Sequence, residues 1–459
     1  MNGAKHVSIH RRDFHALREN DPIQSGAEEV KASNRRVSKV IVSMLMSNGL
    51  TILLQLLMVP VLIWAWGAPL FGEWIILYTI PGYLSLTDFG IIASSNNKIE
   101  AHCARKRYLS ANRTYLSSVL VLFAMLSLVV FVGALIWAVF RVQFVGLFEI
   151  LSESDVLTVA ILLFVDALLM LVLNHHSALY RTLGKFDLTV NWQALGRVVP
   201  LAGLCFAAAL GANILWAALT MLMLRTTLFL VMMNSIRRHV KWIKIAWLRT
   251  SRKEVTNLAS GAIGFMTLPL SNMIYLHVTT LVVAAISNPL MVATFSTMRT
   301  FTRMIPQFVA IAGRSRWSEI SKANARGDHA LIAGMKKSVL TQTVLLTGVA
   351  ALGYILLGKI FYRFWTGGEL PFDPLLFYAL LINATLIACY YSLEVFLLAT
   401  NKVKGYATVF LVITFLQIVA GYGLSKIIGV AGFPIMGAVG ALTICSVLIA
   451  KVASAAKNR

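Results

Sequence analysis

Apolar positions gather into long runs, and polar positions fall almost entirely between them. A span needs about 20 mostly apolar residues to cross roughly 30 Å of hydrocarbon. Read with that window, the pattern predicts twelve transmembrane helices, near 40–64, 72–95, 115–139, 156–179, 189–210, 213–235, 256–283, 289–313, 338–360, 375–397, 405–425 and 430–452. The spans at 72–95 and 289–313 are the least hydrophobic. They are kept because removing either one spoils the charge alternation of the loops. The longest loops hold about two dozen residues, too few for a soluble domain.

Composition agrees with the pattern. Of 459 residues 58% are hydrophobic and 13% charged, with a mean hydropathy of +0.75. An ordinary soluble domain is roughly 25% charged. A soluble globular enzyme and an intrinsically disordered chain are both excluded. Cys103, Cys205, Cys389 and Cys445 are too scattered for a disulfide framework, and no CxxC pair suggests zinc.

The net charge of +22 suggests nucleic acid until the charges are mapped. With the N-terminus inside, 33 of the 41 Lys and Arg fall in residues 1–39, 96–114, 180–188, 236–253, 314–337, 398–404 and beyond 450. The external loops hold only Arg141, Arg363 and Lys426. Basic loops mark the cytoplasmic side, so both termini are expected there. The positive charge then orients the chain and meets anionic lipid, and no nucleic-acid partner is expected. Residues 1–38 are polar, mixed in charge and without an apolar core, which reads as a disordered cytoplasmic tail. No GxxxxGK[ST] or HExxH motif occurs, and no cofactor or metal site is read. Asp88-Phe89-Gly90 spells a kinase tripeptide inside an apolar span, without the catalytic-loop context a kinase requires.

A weak internal repeat divides the chain. Pro69-Leu70 aligns with Pro289-Leu290, Ile99 and Ala104-Arg105 with Ile320 and Ala325-Arg326, and Leu179…Gly184-Lys185 with Leu397…Asn401-Lys402, at offsets of 217 to 221. Six spans per half give both halves the same orientation. The expected fold is therefore an all-α polytopic membrane protein: an N-lobe at 39–235 and a C-lobe at 254–452, parallel repeats around a central cavity. Residues 236–253 form a basic linker and 453–459 a short tail. Such repeats commonly serve alternating access; a duplicated scaffold without transport is the plainer alternative.

Four arginines interrupt the apolar runs: Arg197 in span 5, Arg225 in span 6, and Arg299 with Arg303 in span 8. Each costs about 2.5–3.5 kcal/mol at a helix centre, so all four are expected to face protein, water or an anionic ligand. Asp88 in span 2 and Asp166 in span 4 are the main acids at depth, with Glu73 and Glu394 nearer the span ends. Asp166 is a candidate structural partner for Arg197 or Arg225, and Asp88 can neutralise only one of Arg299 and Arg303, which lie on one helix face. The surplus predicts a cationic cavity suited to phosphate, whose oxygens match the guanidinium fork. His175-His176 and His277 read as hydrogen-bonded or interfacial rather than as ligands. Pro60, Pro81, Pro200, Pro269 and Pro306 interrupt spans and mark possible kinks.

The stretch from Gly67-Ala-Pro-Leu-Phe-Gly-Glu-Trp to Leu86-Thr-Asp-Phe-Gly90, and Trp317-Ser-Glu-Ile-Ser-Lys-Ala-Asn-Ala-Arg-Gly-Asp328, resemble bacterial O-antigen and exopolysaccharide (Wzx-like) flippases of the multidrug/oligosaccharidyl-lipid/polysaccharide (MOP) superfamily. The resemblance covers most of 39–452. It implies a flippase, not an enzyme, that moves an undecaprenyl-pyrophosphate-linked oligosaccharide across the bacterial inner membrane, with polysaccharide assembly proteins as partners. It also implies that spans 1, 2, 7 and 8 flank the cavity, bringing Asp88, Arg299 and Arg303 to it. Two rivals remain. A drug/cation antiporter of the same superfamily would want acids in its cavity. A polysaccharide polymerase or glycosyltransferase would want a larger external loop than 140–154 provides.

Overall fold

The computed structural model describes residues 22–84, 91–240, 270–314, 316, 320, 323, 324, 326–399 and 405–457. The described residues form helices: α1 Pro22–Leu84, α2 Ile91–Ala104, α3 Tyr108–Val145, α4 Glu153–Ser177, α5 Phe186–Ala209, α6 Ile214–His239, α7 Leu270–Ile286, α8 Pro289–Thr302, α9 Met304–Arg314, α10 His329–Trp365, α11 Pro374–Ala399, α12 Tyr406–Ile428 and α13 Gly432–Lys457. Eight helical stretches are long and apolar enough to cross a membrane. One of them, Gly49–Thr79, covers most of predicted span 1 and the start of predicted span 2. Two helices meet there at Gly67, whose φ of 78° and ψ of 162° are not helical and favour glycine, and Pro69 opens the second with its φ already helical. Their junction brings Trp66 and Trp74 within 5.6 Å, ring centre to ring centre. Another, Tyr406–Ile449, carries spans 11 and 12.

Helix α1 begins at Pro22, within the residues read as a cytoplasmic tail. Span 8 is interrupted at one residue: α8 stops at Thr302 and α9 starts at Met304, while Arg303 between them keeps right-handed helical angles and its amide donates to the Arg299 carbonyl at 3.0 Å. Pro306 explains the interruption, because it has no N–H for the carbonyl of Thr302 and its ring crowds that turn.

Polar caps set the helix starts. Ser152 accepts from the Asp155 amide, Asn213 from Trp216, Asn288 from Met291 and Asp373 from Leu376. These four starts are all predicted external; a fifth cap, Asp328 on the Leu331 amide, lies in a predicted cytoplasmic segment. At the predicted external end, the fully buried Glu73 carboxylate accepts three amides, from Glu149, Ile150 and Leu151, at 2.6, 2.7 and 3.0 Å, and Trp66 Nε1 donates to the Ala212 carbonyl at 2.9 Å. The opposite end joins predicted cytoplasmic segments: Arg181 pairs with Glu100 at 2.9 Å and the Tyr180 hydroxyl meets Ser235 at 2.6 Å.

Helices α1–α6 pack chiefly with one another, as do α7 and α9–α13, while α8 packs most on α1. The largest apolar cluster crosses between the two sets, joining Phe71, Trp74 and Leu77 to Val292, Ala293 and Phe295. Clusters toward the basic end stay within one set: Ile99, Tyr115, Leu173 and Met232 in the first, Tyr390, Tyr406, Phe410 and Ile444 in the second. The two sets are thus joined near the capped end. At the crossing Gly72 lies against the Pro289 backbone so closely that a Cβ would overlap the carbonyl. The Trp365 indole adds a hydrogen bond to the Leu56 carbonyl at 2.8 Å. Gly72→Ala is therefore expected to push α1 from α8, costing about 1–3 kcal/mol as overpacking does. A lower melting temperature, together with faster maleimide labelling of an introduced Ala293→Cys, checks this; unchanged values of both would remove the crossing as a closure.

Candidate functional site

Arg225 and Asp166 form a buried pair. Arg225 is 5% and Asp166 2% exposed, and Nε donates to the carboxylate at 2.5 Å. The pair bridges α6 and α4. Arg225 Nη1 also donates to the Gly196 carbonyl on α5 and lies 2.8 Å from the Met170 sulfur. The sequence leaves Asp166 two arginines to choose from, and it pairs with Arg225, not with Arg197. With its donors so distributed inside one group of helices, Arg225 is occupied.

Arg299 is also engaged, but by backbone. Residues Ile274–Val278 of α7 form a π turn, a rare form that misaligns carbonyls from their usual partners. Arg299 Nη1 donates to the Leu276 carbonyl within it at 3.0 Å, and Nη2 donates to Thr280 Oγ1 at 2.7 Å. The guanidinium stacks over Phe295, 4.9 Å from the ring centre. Thr280 in turn donates to the same Leu276 carbonyl at 2.8 Å.

Arg303 differs. It is half-buried at the break between α8 and α9. Among the described residues no group accepts a hydrogen bond from its side chain and no acid pairs with it. Helical spacing puts Ser296, Arg299, Thr300, Arg303 and Gln307 along one stripe. The other side of α8 is anchored by Phe301, whose ring meets Tyr354, Phe361, Trp365 and Phe377, while the Tyr354 hydroxyl donates to its carbonyl at 2.8 Å. The aromatic contact fixes the rotation of α8 and so the direction of the polar stripe.

Arg197 lies on the protein-facing side of α5. Buried Val190, Leu201, Leu204 and Ala208 share its sector, yet Arg197 itself is exposed. An exposed arginine on the buried face of its own helix borders an opening between helices, not lipid. Its Nη2 donates to Ser47 of α1 at 3.1 Å, and no acid among the described residues pairs with it. Gln55, two turns beyond Ser47, repeats the arrangement: it is exposed in the sector that buries Val59 and Leu62. The sequence pattern does not single out Gln55; a lone glutamine in span 1 is its only signal.

Asp88 lies outside the described residues. His175 and His176 are structural: His175 Nε2 is 3.1 Å from the Ser118 hydroxyl, His176 Nδ1 is 2.7 Å from the Val172 carbonyl, and Tyr115 packs on both rings. Among the described residues no cluster of three His, Cys, Asp or Glu could hold a metal.

No protein-family model matches the chain, and no curated protein matches it. Solved structures do. An inward-facing multidrug resistance MATE family transporter of the MOP superfamily superposes with a TM-score of 0.65, at 13% identity over 91% of this chain and 96% of that one. The lipid II flippase MurJ, in an inward closed conformation, gives 0.64 at 14% identity over 90% and 86%. A point mutant of the Vibrio cholerae MATE transporter VcmN gives 0.60 at 15% identity over 93% and 97%. At such identities the likeness is one of fold: the described residues are helical, and the chain is a multi-pass membrane protein with the fold of these MATE transporters and of MurJ.

Proposed function

We propose that the chain is a flippase that carries an undecaprenyl-pyrophosphate-linked oligosaccharide across the bacterial inner membrane by alternating access, for O-antigen or exopolysaccharide assembly. In this reading twelve spans form two six-helix lobes, 39–235 and 254–452, with both termini cytoplasmic. The observation that carries it is the pair of arginines without acid partners, one in each half. Arg197 borders an opening on the first half, and Arg303 stands at the break in the second. Neither has an acid partner among the described residues. Two cations in a crevice between lobes suit the two phosphates of a pyrophosphate, each able to take a bidentate guanidinium. Arg225 is held by Asp166 and Arg299 by the π turn, so their part is to fix the helices that carry the other two.

The joined end, at Gly72 and Pro289, is external in the proposed topology, so the crevice faces the cytoplasm, where a lipid-linked precursor would enter. A drug/cation antiporter has equal support from the fold. The charge of the crevice separates the two, because an organic cation is repelled by arginines that no acid among the described residues neutralises. In proteoliposomes the purified protein is expected to flip a fluorescent polyprenyl-pyrophosphate oligosaccharide and to leave ethidium in place. Ethidium transport without lipid flipping would establish the antiporter and end this reading.

A further inference from the structure

We infer that α7, α11, α12 and α13 enclose a binding site for one small neutral ligand, a single water molecule, and that this pocket is not a cation site. The pocket holds about 20 Å³ and is lined by Asn272, Tyr275, Asn383, Tyr390, Thr414 and Gln417. A fixed water needs about 10–15 Å³ and two to four polar partners. Asn383 is 4% exposed. Its Nδ2 donates to the Tyr275 hydroxyl at 2.6 Å, while its Oδ1 is buried with no partner. Either orientation of the amide leaves one polar atom unanswered, a desolvation cost that a bridging water removes.

The remaining groups fit the same occupant. The Tyr275 hydroxyl accepts from Asn383 and so keeps its proton to give. Thr414 spends its proton on the Phe410 carbonyl at 2.8 Å and keeps its lone pairs to accept. Gln417 brings both an acceptor and donors. Water gives two hydrogen bonds and takes two, and this lining supplies both kinds. A cation takes lone pairs alone and would face the Tyr275 proton and the Gln417 NH2. It would also meet the positive charge of Arg299, which is bonded to the carbonyl of the next residue, Leu276. Among the described residues no acid lines the pocket; Glu394 lies one turn beyond Tyr390 on α11 and is not part of the wall.

Helix α13 keeps the space open. A Cβ at Gly437 would stand against the Tyr275 hydroxyl and 3.2 Å from the Asn383 amide carbon, and one at Gly440 would overlap Gln417 Oε1. The π turn of α7 is therefore held from two directions, by Arg299 of α8 and, through Tyr275, by Asn383 of α11. The water completes the second hold and links it to α12. This inference does not depend on what the protein carries.

The test uses the full-length protein. An experimental structure at about 2 Å, from crystals soaked in rubidium chloride, is expected to show a water within about 3 Å of the Asn383 amide and no anomalous peak in the pocket. In Asn383→Leu the water is expected to be gone. The melting temperature is expected to be the same in sodium, potassium and choline chloride at equal ionic strength. An empty pocket, a rubidium peak, or a sodium-specific rise in melting temperature that Asn383→Leu abolishes would each overturn the proposal.

Discussion

Arg197→Ala with Arg303→Ala is expected to abolish transport while the protein still reaches the membrane at its normal level. A hydrogen bond to a charged group contributes about 1.5–3 kcal/mol. Two arginines on one pyrophosphate then contribute about 3–6 kcal/mol, or roughly a 10²- to 10⁴-fold loss of head-group affinity when both go. Each single variant should lose about tenfold to a hundredfold. Folding is spared because neither side chain has an acid to orphan among the described residues. Arg197→Ala gives up one hydrogen bond, to Ser47, and removing a charge from a span lowers its insertion cost. Arg303→Lys keeps the charge without the fork and should fall between wild type and Arg303→Ala. The measurement is initial flipping rate against substrate concentration, beside membrane abundance. A double variant that flips at the wild-type rate would rule out a cationic crevice as the pyrophosphate site. Arg299→Ala should behave differently: it frees the Leu276 carbonyl and loosens the π turn, so its melting temperature should fall with its rate.

Long apolar runs and basic loops carry their own physical signal, and they mark most of the helices at their observed places. What they do not encode is continuity. The span boundary at Gly67 is a one-residue break between two helices, its φ of 78° and ψ of 162° lying outside the helical region, and a hydropathy window cannot distinguish that from a longer loop. Pro306 is legible as an interruption, yet whether it bends or breaks its span depends on the neighbours that anchor Phe301. The arginines show the limit most sharply. Their cost in hydrocarbon is visible in the sequence, but their partners are not. Asp166 could have served either Arg197 or Arg225, and only the rotation of α6 decides it. The acceptor of Arg299 is a backbone carbonyl, released by a π turn that has no residue signature. Glu73 reads in the sequence only as an acid near a span end. Its three amide partners come from a loop some 75 residues away, and no local pattern announces them.

Removing one member of the Asp166–Arg225 pair is expected to be the most damaging single change for stability. Both side chains are buried, at 2% and 5% exposure, and the pair ties α4 to α6 with a branch to α5 through the Gly196 carbonyl. Breaking a buried ion pair from one side costs about 3–5 kcal/mol, because the other charge remains without compensation. Total stabilities are typically about 5–15 kcal/mol. Asp166→Leu or Arg225→Met should therefore drop sharply in membrane abundance and lose any resolvable melting transition at physiological temperature. The double variant leaves no buried charge at this site and should recover much of both. Recovery should be incomplete, since the Gly196 carbonyl still loses its donor. Transport by the recovered double variant decides the role of the pair. Flipping near the wild-type rate per folded molecule marks it as a structural tie. A well-folded double variant that cannot flip would place Asp166 and Arg225 in the transport cycle itself, and the count of arginines available to a pyrophosphate would have to be redrawn to include one that leaves its acid during the cycle.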